Sequence, residues 1–261
     1  MKKEKTITDM KLVLLDTNII MDIIDEDEKH TMFLKLFINF FVDKHLYAFS
    51  IYSLYEIFVS SEERWEKFLN MFADSFFLAF QPYKSIIEYE YKIYKGEKVK
   101  MSELFFSFSL KNQKAVGDLE QMLEEMKLQK TDYDNLAKFL DEIRKNQTKK
   151  FHYDVNQEKK AVLNSLESQG VLLDSDDDYV FFPSVRVHNL SIVRRLKDKD
   201  KKEIRVNDFF DSLISYCVPY VDVVIVDNEQ GNILKQAKKR IKSLDDLEIL
   251  NITDISNLDL S

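Results

Sequence analysis

The residues that could do chemistry together are carboxylates: Asp16, Glu56, Asp208, Asp211 and Asp227. Asp16 and Asp227 each close an apolar run, Leu-Val-Leu-Leu and Val-Asp-Val-Val-Ile-Val respectively. Glu56 follows a second apolar stretch, and Asp208 and Asp211 have the i, i+3 spacing that puts both on one helical face. Carboxylates gathered in one place repel, and each raises its neighbours' pKa unless cations neutralise them. Hard oxygen ligands select Mg²⁺ or Mn²⁺. An ion held in this way orients and deprotonates a water and stabilises charge on a phosphodiester during in-line displacement. The chemistry implied is metal-dependent phosphodiester hydrolysis with the metal-bound water as nucleophile and no covalent intermediate.

The elements that must position these acids are legible as alternating strands and helices. Leu12, Val13, Leu14 and Leu15 form a short continuous apolar run, the pattern of a strand buried on both faces, and residues 11–16 are assigned to it. Ile19, Ile20, Met21, Ile23 and Ile24 resume at helical spacing over 18–25. Asp16 therefore stands where a buried strand hands over to a helix, and the carboxyl ends of strands are where open α/β sheets bind ligands. An isolated Asp there would be a helix cap, but capping does not explain a second strand-end acid at Asp227. Residues 47–51 read as a second strand. Ser53-Leu-Tyr-Glu56 then has the spacing of a capping box, which gives Glu56 a structural reading beside the functional one. Helices are expected over 32–42 and 62–72, a third strand over 75–80, and a helix from Pro82. This rhythm implies a parallel sheet with crossover helices.

Between residues 96 and 205 the character changes. Leu104, Phe108, Ala115, Leu119, Met122 and Met126 keep one helical stripe, Leu136, Phe139, Leu140 and Ile143 another, and no buried strand is evident. The rhythm resumes with a helix over 206–220, a strand over 221–226, a lysine-rich helix over 228–242 and a last strand over 247–252. The expected architecture is α/β: a parallel sheet flanked by helices from residues 9–95 and 206–252, interrupted by a large, mostly helical insertion at 96–205.

Composition narrows the setting. With 261 residues, 45% of them hydrophobic, the chain can bury a sizeable core. Four glycines and three prolines suit a helix-rich protein better than a turn-rich all-β one. Cys217 is the single cysteine, so no internal disulfide can form, and a reducing compartment is expected. The first apolar run is too short for a signal segment or a membrane span. A soluble, cytoplasmic protein without membrane contact is the expectation. A net charge of −8 argues against nonspecific coating of nucleic acid but is compatible with an enzyme carrying a local basic groove.

Taken together, the acids and their settings resemble those of PIN-domain nucleases. The opening Leu15-Asp16-Thr17-Asn18-Ile19-Ile20, the Glu56 on the helix after the second strand, Asp211-Ser-Leu-Ile-Ser and Val224-Ile-Val-Asp227 follow that family's order of acids. The resemblance covers about residues 9–95 and 206–252. It implies a parallel sheet flanked by helices, a site of three or four acids binding Mg²⁺ or Mn²⁺, and single-stranded RNA as the usual substrate, with DNA possible. By this resemblance Asp16, Glu56, Asp211 and Asp227 are the catalytic acids and metal ligands, Asp208 competes with Asp211 for the third place, and Thr17 and Asn18 support Asp16 by hydrogen bonds. The chain departs from the family at Ile225, where Thr or Ser is common, and in the length of the insertion before the third acid. The alternative is an inert binding module on the same fold, with the insertion recruiting RNA, a protein partner or a second copy of the chain.

Basic residues give one further expectation. Lys235, Lys238, Lys239, Arg240 and Lys242 crowd the helix after Asp227, and Arg194, Arg195, Lys197, Lys199, Lys201, Lys202 and Arg205 precede Asp208. Both clusters are candidates for phosphate contacts. Other patterns carry less. Asp174-Ser-Asp-Asp-Asp-Tyr179 lacks the glycine and terminal glutamate of a calcium loop. The four histidines show no metal spacing, and there is no glycine-rich phosphate loop.

Overall fold

A computed structural model describes residues 11–25, 45–72, 76–109, 112–146, 154–197, 203–251 and Asp254. The helix expected over 32–42 lies outside the described residues. Six strands form one sheet: β1 (Lys11–Leu15), β2 (His45–Ser50), β3 (Phe76–Phe80), β4 (Phe105–Ser109), β5 (Val223–Ile225) and β6 (Glu248–Leu250), in the order β4-β3-β2-β1-β5-β6. All neighbouring pairs run parallel except β3 with β4. The α/β expectation holds, with a sheet that is mostly parallel and flanked by helices.

Parallel neighbours need crossovers, and the helices supply them. In chain order they are α1 (Thr17–Ile24), α2 (Ile51–Ser60), α3 (Glu62–Phe72), α4 (Tyr83–Tyr94), α5 (Gln113–Leu128), α6 (Lys130–Asn146), α7 (Val155–Ser168), α8 (Pro183–Lys197), α9 (Val206–Ile214) and α10 (Asn228–Lys238). The helix expected over 206–220 is two elements. The α-helix stops at Ile214, and a tighter 3₁₀ segment, Ser215–Tyr220, carries the chain past Pro219 toward β5. Proline has no N–H to give the preceding turn, which favours ending the regular helix before it.

Val13, Leu14, Phe49, Phe77, Ala79, Val224 and Ile225 have no exposed surface, as central strands covered on both faces require. Phe49, Phe68, Phe72 and Phe77 meet edge to face or tilted at 4.9–6.0 Å and fill the space between β2, β3 and α3. Such pairs add to simple burial of area.

Two expectations are corrected here. The 96–205 segment does contain a strand: β4 pairs antiparallel with β3, with Phe80 opposite Phe105 and Phe76 opposite Ser109. Phe108 therefore belongs to this strand, while Ala115, Leu119, Met122 and Met126 do lie on α5. The second correction concerns the Ser53 cap. β2 runs to Ser50, whose hydroxyl accepts from Tyr52 N at 3.2 Å and caps α2. Ser53 is inside the helix with its buried hydroxyl unpartnered among the described residues. The capping-box reading of Glu56 has no basis in the structure.

Candidate functional site

The strand order places a switch point at β1 and β5. From β1 the chain steps outward through β2 to β3; β5 and β6 lie on β1's other side. Crevices outside the carboxyl ends of strands at such a point are where open α/β sheets bind ligands. Asp16 N donates to Ile225 O at 3.0 Å, so the ladder between β1 and β5 continues up to the first acid. Asp16 and Asp227 leave adjacent strands at the same edge.

Each of these two acids also caps a helix. Thr17 N donates to Asp16 Oδ1 at 2.9 Å, and Gln230 N donates to Asp227 Oδ1 at 2.8 Å. Capping leaves one carboxylate oxygen of each for other use. Asn18 Nδ2 donates to Asp227 Oδ2 at 3.3 Å and ties the two strand ends together. Thr17 reaches the other way: its Oγ1 donates to Glu56 Oε2 at 2.7 Å. Thr17 thus supports Asp16 through its backbone N–H and Glu56 through its hydroxyl, while the Asn18 side chain reaches Asp227 rather than Asp16.

The electrostatics join the four acids into one group. Asp16 is only 2% exposed. Burial, followed by the charges of Asp211 and Asp227, pushes its pKa well above the ordinary carboxylate range, against the Thr17 N–H and Arg195. Burial and then Asp211 and Asp16 push Glu56 up as well, while the Thr17 hydroxyl opposes. Asp211 is raised to about 6: burial dominates, Arg195 opposes it, and Asp227 and Asp208 add repulsion. Asp211 rather than Asp208 bears on Asp16 and Glu56. Asp208 Oδ2 accepts from Arg205 N at 2.9 Å, closing the first turn of α9 as an N-terminal helix acid does.

A cation stands inside this group, and local spacing gave no sign of it. Arg195, on α8, is 4% exposed. Its Nη2 donates to Gln230 Oε1 at 2.8 Å and to Asp211 Oδ2 at 3.3 Å, and its Nη1 donates to Ser191 Oγ. Gln230 is itself fixed, its Nε2 donating to Ser215 Oγ at 2.9 Å. The Asp227 cap, Gln230, Arg195 and Asp211 form one hydrogen-bonded chain. By sequence Arg195 belongs with the basic residues before Asp208 that are candidates for phosphate contacts; its burial removes it from any phosphate-contacting surface.

The α10 basic cluster is also relocated. That helix starts at Asp227 and runs for 11 residues, about 16 Å at the usual rise, back toward the amino ends of the strands. Lys238 Nζ donates to Leu247 O at 2.7 Å, just before β6 begins. Arg240 lies beside Glu158, with 3.9 Å between charged atoms. Lys235 and Lys239 are exposed, and they sit toward the edge opposite the acids. The expectation that this cluster flanks the acids is therefore corrected. Other acids outside the site have structural roles: Asp222 Oδ2 accepts from Leu12 N at 2.7 Å, and Asp174 pairs with Lys95 at 3.0 Å.

The donors are all oxygen, which in kind suits Mg²⁺ or Mn²⁺. Their arrangement is less ready: among the described residues no group of three or more His, Cys, Asp or Glu side chains is placed to hold a metal ion. Thr17 occupies Glu56 and Arg195 occupies Asp211. Among the described residues no helix is long and apolar enough to cross a membrane. Comparison with protein-family models, with curated proteins and with solved structures returns no match for the chain.

Proposed function

We propose that the chain is a metal-dependent nuclease, acting as an endoribonuclease on single-stranded RNA, with Asp16, Glu56, Asp211 and Asp227 as the acids that would hold Mg²⁺ or Mn²⁺. The observation that carries this reading is the gathering of acids at a sheet-edge switch point: Asp16 and Asp227 leave adjacent strands, Asn18 and Thr17 tie them to one another and to Glu56, and burial with neighbouring carboxylates raises Asp16, Glu56 and Asp211. Acids crowded at a cost to the fold are characteristic of sites that await charge from a ligand. The order of acids resembles that of PIN-domain nucleases, which supports RNA as the substrate class. When bound, the ion would supply an activated water and charge stabilisation at the scissile phosphate. The protein's part is positioning. Asp16 and Asp227 are fixed by strand ends and helix caps, Glu56 by Thr17, and Asp211 by Arg195.

A second reading is favoured by a specific observation. The carboxylates are engaged with separate partners and Ile225 brings no hydroxyl to the site, which suits an inert binding module on the same fold. One assay separates the two. Labelled single-stranded RNA and DNA are incubated with the full chain and Mn²⁺ or Mg²⁺, beside Asp16→Asn. The nuclease reading expects cleavage that falls more than about 100-fold in the variant, since even residues that only support metal ligands are worth 10–100-fold. Equal cleavage by both proteins, or none by either, sinks it, and RNA retained without cleavage favours the binding module.

A further inference from the structure

We propose that Glu90 is a proton-operated clamp: while neutral it holds the start of α8 and the 3₁₀ segment Ser215–Tyr220 against α4, and its ionisation goes with the opening of that joint. The clamp goes beyond the nuclease reading and does not depend on it.

Three elements meet at this carboxyl. Glu90 lies in the second half of α4 and is 2% exposed. Its Oε1 accepts from Ser184 N at 3.0 Å, in the first turn of α8, and from Tyr220 Oη at 2.7 Å, at the end of the 3₁₀ segment. Ser184 Oγ donates to Tyr216 O at 2.8 Å, so α8 and the 3₁₀ segment are also tied to each other. Oε2 is sealed from water and has no partner among the described residues. A buried charge would leave that oxygen without any donor. The neutral acid keeps both bonds on Oε1 and leaves one O–H unmet, a smaller loss. The closed joint therefore favours the neutral form, and ionisation calls for water at Oε2. Tyr220 is only half-buried, so the joint borders solvent on its side.

The groups around Glu90 do not offset this. From the 3₁₀ segment it faces Tyr216 and Tyr220, and Tyr89 of its own helix meets the Tyr220 ring edge-on. On α8, His188 stacks on Tyr216 and burial pushes its pKa down to about 4, while Arg186 is turned to Glu158. Glu103, in the 3₁₀ turn Met101–Leu104 beside α4, pairs with Lys92 at 3.4 Å. Burial accordingly lifts Glu90 to about 7, against the Tyr220 and Ser184 bonds. Opening restores the ordinary value of 4.5. Between those values each pH unit makes opening about tenfold easier, and above them the gain stops. The joint is placed to matter to the acids: Ser215–Tyr220 connects α9, which carries Asp211, to β5, and α8 carries Arg195.

Native-state amide exchange of the full chain between about pH 5 and 8 tests this. Hydroxide catalysis alone raises exchange about tenfold per pH unit. At Ser184 N–H the expected rise is about a hundredfold per unit up to about pH 7, the extra tenfold coming from proton release, and about tenfold per unit above it. Ser184 should also exchange faster than the β1 amides in the centre of the sheet. Glu90→Gln should reduce the slope to about tenfold throughout, and Tyr220→Phe, which removes one bond to the carboxylate, should move the break to higher pH. A plain tenfold slope at Ser184 in the wild type overturns the clamp, and that measurement needs no variant to fold. A steep slope that survives in Glu90→Gln overturns it too, as does a Ser184 N–H that exchanges no faster than the β1 amides.

Discussion

Buried acids occur in two regions of this molecule and are treated in opposite ways. Among the helices that precede α9, each has its own cation or keeps its proton. Glu158 on α7 meets Arg186 on α8 at 2.8 Å, both nearly enclosed. Asp141 on α6 holds Arg144 and Lys145 and accepts from Ile204 N, and these contacts keep its pKa down at about 2. Glu90 on α4 meets no cation among the described residues. Tyr220 Oη and Ser184 N donate to one of its oxygens, the other has no partner among the described residues, and burial lifts it to about 7. At the carboxyl edge of the sheet, by contrast, Asp16, Glu56, Asp211 and Asp227 gather about one buried cation, Arg195, which donates to Asp211 and opposes the elevation of Asp16. The fold is able to neutralise an acid where it only has to stand still. Glu90 stands alone in the helical region, whereas at the sheet edge several buried acids meet one another, and that crowding separates a site from a scaffold better than burial does.

The contrast can be broken or sharpened by stability measurements, beginning with the largest effect. Replacing Glu158 by Ala leaves Arg186 buried without its partner, and denaturant unfolding should show a loss of about 3–5 kcal/mol. A loss under 1 kcal/mol would mean that the helical region does not depend on its pairs. Glu90 should give a pH dependence. Its folded pKa is raised, so its contribution is complete below about 4.5 and is lost as pH rises through about 7. The predicted decline is roughly 3 kcal/mol over that window. Glu90→Gln should remove that share of the drift, leaving the share of the site acids; an unaltered profile would assign the whole drift elsewhere.

The remaining two effects belong to the acid site. Mn²⁺ at a hundredfold excess over its dissociation constant should stabilise the wild type by about 2.7 kcal/mol. Thermal melts with and without the ion would show a shift that Asp16→Asn largely abolishes. Smallest is the variant without metal. Asn caps a helix about as well as Asp, and the substitution removes a buried, repelled charge. Asp16→Asn should therefore raise stability at neutral pH, read as a small upward shift of the unfolding midpoint in the absence of metal. The same kind of change that weakens the helical region would strengthen the site, and destabilisation by Asp16→Asn would dissolve the distinction.

What could be read from the chain follows from how local each signal is. β1 and β5 are continuous apolar runs that end in acids, and they are too short to be buried helices. β4 was missed because Phe105–Ser109 is a short edge strand whose phenylalanines fit a helical stripe equally well. The Ser53 cap failed for a related reason: two serines three residues apart both precede apolar helical positions, and the extent of β2 decided between them. Arg195 lay in a charge-rich stretch, and its partners Asp211 and Gln230 come from two other helices, so no spacing reveals it. The α10 lysines were placed at the wrong edge although a signal existed. A helix leaving the carboxyl end of a parallel strand must run back, so its last turn lies at the far edge of the sheet.

The sheet order also sets a time at which the site can exist. β1 is synthesised before the other strands of this sheet, and its neighbour on one side, β5, comes about 210 residues later. At 5–20 residues per second that interval is about 10–40 s of translation. Until β5 arrives, the Asp16 side of the crevice has no opposite wall, and Asp211, Asp227 and Gln230 are still being made. Whatever the acids act on, a growing chain cannot act on it. The connectivity that pairs β1 with β5 keeps these acids apart on a nascent polypeptide until β5 and the start of α10 have been made.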